Sequence, residues 1–415
     1  MGEAYTVAVS GLAPTVAGPI RRREVRGAHP LWARWNGELD QRYTLGAEEE
    51  VMLLDPSRWL FAQPTGRVVA GLSRQLSPHT SSETGAAVVE LATGIHRDVD
   101  GVAAELASLR TRLRRELNAM GLTAAAAGTH PQAVWSQPQA SDAARHRPAG
   151  DRMRELARRE PTMALHVHVG VPDAEDAVRV LNGLRRNVPM LLALSANSPF
   201  WQGRDRGFAS SRTAIFGAVP RTRLPRHFLS YSDYVGALDE LAVSRSAPIP
   251  NVSWWDVRLR PALGTVEVRV MDAQSTVREV APLVALIQSL ARLELEGDAP
   301  FLTPRTEVLE ENRFLASRDG MAAELVDERL GRLTPVRETL EALLAECRPH
   351  ARHLGCADAL EGVRRLATAN GADRQRVLAA SEACLQDLVA GLASRFIWPA
   401  GPAAERFASA TSAEN

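Results

Sequence analysis

The pattern of apolar residues in this 415-residue chain predicts an α+β fold with a largely antiparallel sheet. Three observations predict it. Strand-like segments crowd the first two-thirds of the chain, helix-period segments fill the last third, and the regular strand–helix alternation of a parallel sheet is missing. Taken in order, "YTLGAEEEVMLLD" (43–55) reads as a strand that stops at the turn signal "DPSRW". "AAVVELAT" (86–93) and "LTAAAAGTH" (122–130) read as short buried strands, with an amphipathic helix over 98–121 between them, closed by Gly121. "TMALHVHVGV" (162–171) alternates as a strand, and the helix that follows is interrupted at Pro189. Residues 197–212 form a loop rich in arginine, and 253–274 form two strands joined at "PALG". Beyond residue 276 the pattern is helical to about 395. Residues 1–40 are expected to be a loosely ordered extension, 41–400 a single domain, and 401–415 a disordered tail.

Composition narrows the function. The chain is 45% apolar with a formal net charge of zero, so nothing in it points to a nucleic-acid partner. Apolar runs such as "VPMLLALSA" are far short of a membrane span, and the arginines near the N-terminus follow the apolar stretch rather than precede it, the reverse of a secretory signal. Three scattered cysteines fit a reducing cytoplasm. The chain contains no lysine, so all 49 basic residues are arginine. Walker-type phosphate loops, protein kinases and Schiff-base enzymes are therefore excluded.

Four stretches carry chemistry. In a strand, residues two apart share a face, so Glu48 and Glu50 of "GAEEE" project together while Glu49 points away. Two neighbouring buried carboxylates repel, and a divalent cation with several oxygen ligands removes the conflict. "SSETGAAVVELAT" adds Glu83 and Glu90, the latter in an apolar context. "LHVHVG" puts His166 and His168 on one strand face, where the imidazoles can hold a metal or a phosphate. "WWDVRLRPALGTVEVRVMD" supplies Arg258, Arg260, Glu267 and Arg269, a carboxylate among guanidinium groups suited to a metal-bound phosphate. Arg204 and Arg212 in the 197–212 loop are placed to cap such a site, and His130 lies at a strand end within reach of it. Each piece has an ordinary reading as a solvated strand edge or a cross-strand ion pair. Together they describe a site for two or three divalent ions and an ATP phosphate chain, in a protein with no lysine to neutralise it.

These stretches, with "AAAGTHP" and "ALSANSPFWQGRDRGFASSR", resemble in order the carboxylate–amine ligase family of bacterial type 2 glutamate–cysteine ligases, within the glutamine-synthetase-like superfamily. The resemblance covers about 43–395. It implies a curved antiparallel sheet forming an active-site funnel with helices outside, ATP at one end, the carboxylate substrate at the other, and Mg2+ between them, with Mn2+ as a substitute. By motif position, Glu48, Glu50, Glu83, Glu90, His166 and Glu267 resemble metal ligands. His168, Arg258 and Arg269 resemble catalytic groups near the phosphate and the substrate carboxylate, and Arg204 and Arg212 join Arg258 and Arg269 in binding substrate or ATP. The implied reaction activates a carboxylate, that of the glutamate side chain in the family, as an acyl phosphate. An amine such as cysteine then attacks it, giving an amide, ADP and phosphate. The resemblance also implies a homodimer or a larger assembly. The loop departs from the family pattern at Phe208 and Ser211, and the next segment adds Arg221, Arg223 and Arg226, which bears on the identity of the substrates. Two other readings of the same residues are a metal-dependent amide hydrolase built on the H-x-H strand and a catalytically silent homologue that binds a nucleotide or amino acid.

Overall fold

The computed structural model describes residues 29–62, 65–82, 87–134, 161–243, 253–297, 303–381 and 384–397. Glu83, the first 28 residues of the extension and the tail lie outside the described residues. The first half of the chain contributes β1 (Leu45–Asp55), β2 (Leu60–Phe61), α1 (Thr65–Gly71), β3 (Thr80–Ser82), β4 (Val88–Ala92), α2 (Val99–Ala119), β5 (Thr123–Ala125) and β6 (Ala164–Gly170). Next come α3 (Ala174–Arg186), α4 (Val188–Ser195), β7 (Phe200–Trp201), β8 (Arg204–Asp205), α5 (Ser211–Phe216), α6 (Tyr231–Ala242), β9 (Val257–Arg260) and β10 (Thr265–Asp272). The remainder is α7 (Val277–Glu296), α8 (Thr306–Asp319), β11 (Glu324–Asp327), β12 (Arg332–Pro335), α9 (Val336–His353), α10 (Ala357–Glu361), α11 (Val363–Thr368), α12 (Gly371–Ser381) and α13 (Leu385–Arg395).

Strand periodicity puts Ala47, Leu165, Val167, Val169, Val257, Leu259, Val266 and Val268 on one face of the sheet, where they join the main apolar core. That face is covered by α2, α3 and α7. The second half of β1, all buried from Val51 to Leu54, packs with β5, the later turns of α2 and α13 in a second core. Helix starts follow from local chemistry: the Asp98 side chain accepts from Gly101 N to cap α2, and Asp173 accepts from Glu175 N and Asp176 N to cap α3. The expected interruption near Pro189 falls at Asn187, between α3 and α4. The last residues of the N-terminal extension are docked, with the Trp35 indole donating to Val171 O and Asn36 N to Pro261 O.

Two expectations need correction. The strands do form an antiparallel sheet, in the order β3-β4-β1-β6-β10-β9 with β2 and β5 also on β1, but it is open. It is neither curled nor closed into a funnel. Closure requires the two edge strands to pair, and here β3 and β9, of three and four residues, end the sheet without meeting. The second correction lies in the helical third of the chain, where "ELVDERLGRLTP" forms the β11–β12 hairpin that its charged residues disguise.

Candidate functional site

The polar face of the sheet gathers the residues that the sequence singled out. Glu48 stands opposite His166 on β6, Glu50 opposite Glu90 on β4, and Glu267 opposite both His168 and Arg258. Because directly opposed residues share a face, register alone brings seven of them into one cluster. Glu49 occupies the other face, fully buried, where its carboxylate accepts a bidentate pair from Arg110 on α2.

Within the cluster Glu48 Oε2 lies 3.3 Å from His166 Nδ1, and Glu48 Oε1 lies 3.3 Å from His168 Nε2. Glu50 accepts from Ala164 N at 2.6 Å, and Glu90 from the Ser81 hydroxyl at 3.0 Å. Arg258 forks onto Glu267 at 2.7 and 3.1 Å and gives its third bond to Ser253 O. Arg269 also binds Glu267, and its Nη1 is 3.4 Å from His166 Nδ1. His168 Nδ1 meets the Thr265 hydroxyl at 3.0 Å.

Electrostatics follow from this crowding. Burial alone would raise the Glu48 and Glu267 carboxyls. The two histidines more than reverse this at Glu48, and Arg269 and Arg258 do so at Glu267, so both are held well below the usual carboxylate range. Burial, reinforced by Arg269, lowers His166 to about 3, so its imidazole is neutral at physiological pH. Its Nε2 is buried and has no hydrogen-bond partner among the described residues. Two triads that share this histidine, Glu48–His166–Glu267 and Glu50–Glu90–His166, each bring their ligand atoms within 4.8 Å of one another. A neutral imidazole with an unengaged nitrogen between two sets of carboxylates fits divalent cations, and a cation relieves the repulsion that otherwise opposes this packing.

The arginines of the 197–212 loop part company. Arg212, at the start of α5, is buried and donates to the carbonyls of Val270 and Arg269 at 3.0 and 3.2 Å. Those two residues form the irregularity where β10 slips register against β6, so Arg212 supports the bulge that presents Arg269. Arg204 is exposed on the small β7–β8 hairpin and has no described contact with the cluster. His130 is structural, with Nε2 donating to Trp59 O and Nδ1 accepting from Gln132 N and Ala133 N. Of the departures, the Phe208 ring packs edge-on to Phe314, Arg226 forks onto Asp233 and Arg223 lies 3.9 Å from Glu310. Ser211 is buried beside Arg212.

Sequence reasoning missed Asp272. It is buried and accepts from Asn197 N and the hydroxyls of Ser198 and Ser210, with Arg212 at 3.9 Å, so it straps the loop to the end of β10. A charged residue at the end of the apolar strand "VRVMD" was the available signal. At the opposite end of the polar face a pocket opens beside Glu48, His168 and Thr265. Its walls include Gly46, Gly94 and two exposed apolar side chains, Ile95 and Leu263.

An open antiparallel sheet with helices on one face and a carboxylate–imidazole–guanidinium cluster on the other fits the carboxylate–amine ligase class. Solved structures agree on the fold. The glutamate–cysteine ligase of Francisella tularensis in complex with AMP superposes with a TM-score of 0.65 at 14% identity, over 88% of this chain and 89% of that one. A bifunctional glutathione synthetase from Pasteurella multocida gives 0.63 at 15% identity, over 86% of this chain and 52% of that one. The model of glutamate–cysteine ligase family 2 matches residues 44–391. A Rubrobacter xylanophilus protein named "Putative glutamate--cysteine ligase 2-3" is 40% identical over 355 residues, 85% of this chain and 96% of that protein. A Thermobifida fusca relative named "Putative glutamate--cysteine ligase 2" is 34% identical over 366 residues, 86% and 91% of the two chains. The chain belongs to glutamate–cysteine ligase family 2. Among the described residues no helix is long and apolar enough to cross a membrane.

Proposed function

We propose that this protein is an ATP- and Mg2+-dependent carboxylate–amine ligase that phosphorylates the γ-carboxylate of glutamate and joins it to the amine of cysteine or a similar amino acid. The observation that carries this reading is the pair of metal-capable triads sharing His166, set between guanidinium groups on one side and an apolar-walled pocket on the other. The substrates rest on the names of the relatives, and the chemistry on the site.

Glu48, Glu50, Glu90, His166 and Glu267 would hold the cations, which when bound supply positive charge to the phosphate oxygens as γ-phosphoryl transfer proceeds. The pocket at Ile95 and Leu263 would take the nucleoside, and Glu48 and His168, which line the same pocket, would face its phosphates. The carboxylate substrate then approaches from the Glu50 and Glu90 end. Its oxygen attacks the γ-phosphorus, the bond to the β-phosphate oxygen breaks, and ADP leaves. The amine attacks the acyl carbon, loses a proton and displaces inorganic phosphate. Arg269, whose carbonyl Arg212 holds at the bulge, would orient the transferring group. Arg258 holds Glu267 in place.

The amide hydrolase reading finds no support, because among the described residues His166 is the one histidine in the metal-capable groups. The test is a panel of carboxylates and amines with MgATP, read by mass spectrometry for amide and by ADP release. We expect ADP only when both substrates are present. Amide cleavage without ATP, or nucleotide binding with no turnover on any pair, contradicts the proposal.

A further inference from the structure

Among the described residues, Glu267 is surrounded by three guanidinium groups, those of Arg258, Arg260 and Arg269. They are not equivalent. Arg258 is buried, and its donors are engaged by both Glu267 oxygens and by Ser253 O. Arg269 takes the same Glu267 Oε1 and lies against His166. Both carboxylate oxygens are thus already in hydrogen bonds, and Arg260 is left 3.7 Å from Oε2, too far for one. Its side chain is 27% exposed, and Glu267 is its single described partner. Arg260 is therefore the one of the three guanidinium groups that gives no hydrogen bond to Glu267. A partly exposed guanidinium with donors to spare is suited to an anionic ligand.

Position says which one. Arg260 stands directly across the β9–β10 ladder from Thr265, and Thr265 lines the pocket beside Glu48 and His168. From the geometry we infer that Arg260 binds the phosphate chain of the nucleotide, serving as the guanidinium not hydrogen-bonded to Glu267 in a cluster whose other two arginines are fixed by it. Arg260 sits in the R-x-R of "DVRLRP", where it is indistinguishable from Arg258 by sequence; only the different engagement of the two separates them. The inference rests on the nucleotide-dependent reading above.

Calorimetric titration of ADP and of adenosine in Mg2+ separates the two. Arg260→Gln is expected to weaken ADP binding about tenfold, as loss of a charge-assisted hydrogen bond does, with adenosine binding unchanged. Arg260→Lys should recover part of the loss. Thermal melting should be unaltered, since a partly exposed side chain with one distant partner contributes little to folding. Unchanged ADP affinity in Arg260→Gln overturns this assignment and leaves the nucleotide site standing. A raised KM for the carboxylate with ADP affinity intact also overturns it, by giving Arg260 to the other substrate. A wild-type protein that binds neither ADP nor adenosine overturns both the assignment and the ligase reading.

Discussion

Replacing Arg110 by Ala should destabilise the protein by about 3–5 kcal/mol, a large fraction of the stability of a typical domain. Arg110 and Glu49 are both fully buried. Beyond its bidentate contact with Glu49, the guanidinium donates to Ser275 O at 3.1 Å, Phe396 O at 3.0 Å and Gln274 O at 2.7 Å, and lies over the Phe396 ring. One side chain on α2 thereby ties the back of β1 to the start of α7 and the end of α13. Removing it strands a carboxylate and three carbonyls in the core, and unpaired buried polar groups are among the most costly features a fold can carry. The Glu49→Leu/Arg110→Met pair should recover part of the loss, because neither charge is then left alone, though the three carbonyls remain unbonded. Urea denaturation of the two single variants and the double one measures this. A change below about 1 kcal/mol in Arg110→Ala would mean that the pair does not bind these elements together.

The second large effect is at Glu267. Glu267→Gln keeps the shape of the side chain but removes the charge that three arginines face and that one of the two metal-capable triads requires. We expect kcat to fall roughly 1,000-fold, the scale seen when a preorganised electrostatic contact is lost from an active site. Stability should fall by about 3 kcal/mol as well, since fixed arginines remain without their counter-ion. Steady-state ADP release and a denaturation curve on the same sample report the two losses separately. Wild-type turnover with a stability loss would make Glu267 a structural residue only.

Much of the site was legible because a strand has a period of two. "GAEEE", "LHVHVG" and "TVEVRV" each announced which residues share a face, and Glu49 lies opposite Glu48 and Glu50 as the alternation required. What pairing does not encode locally was illegible. The partner of Glu49 lies 61 residues away on a helix, where Arg110 looks like any arginine of an amphipathic face. Arg204 and Arg212 share one loop, but a small exposed hairpin carries the first, while Asp272 and the helix start at Ser210 draw the second inward. The open sheet could not be read either, because closure depends on whether two short edge strands meet, a tertiary property. The β11–β12 hairpin was lost for a related reason: its turn residues, "DERLG", carry charges at spacings that also suit a helix.

The central claim is that the cluster around His166 activates a carboxylate by phosphorylating it. Turnover of a carboxylate substrate labelled with 18O in its carboxyl group, in the presence of MgATP and an amine, tests this directly. Acyl phosphate chemistry transfers one labelled oxygen to inorganic phosphate for each amide formed, with ADP as the nucleotide product. Unlabelled phosphate, or AMP bearing the label alongside pyrophosphate, would contradict it.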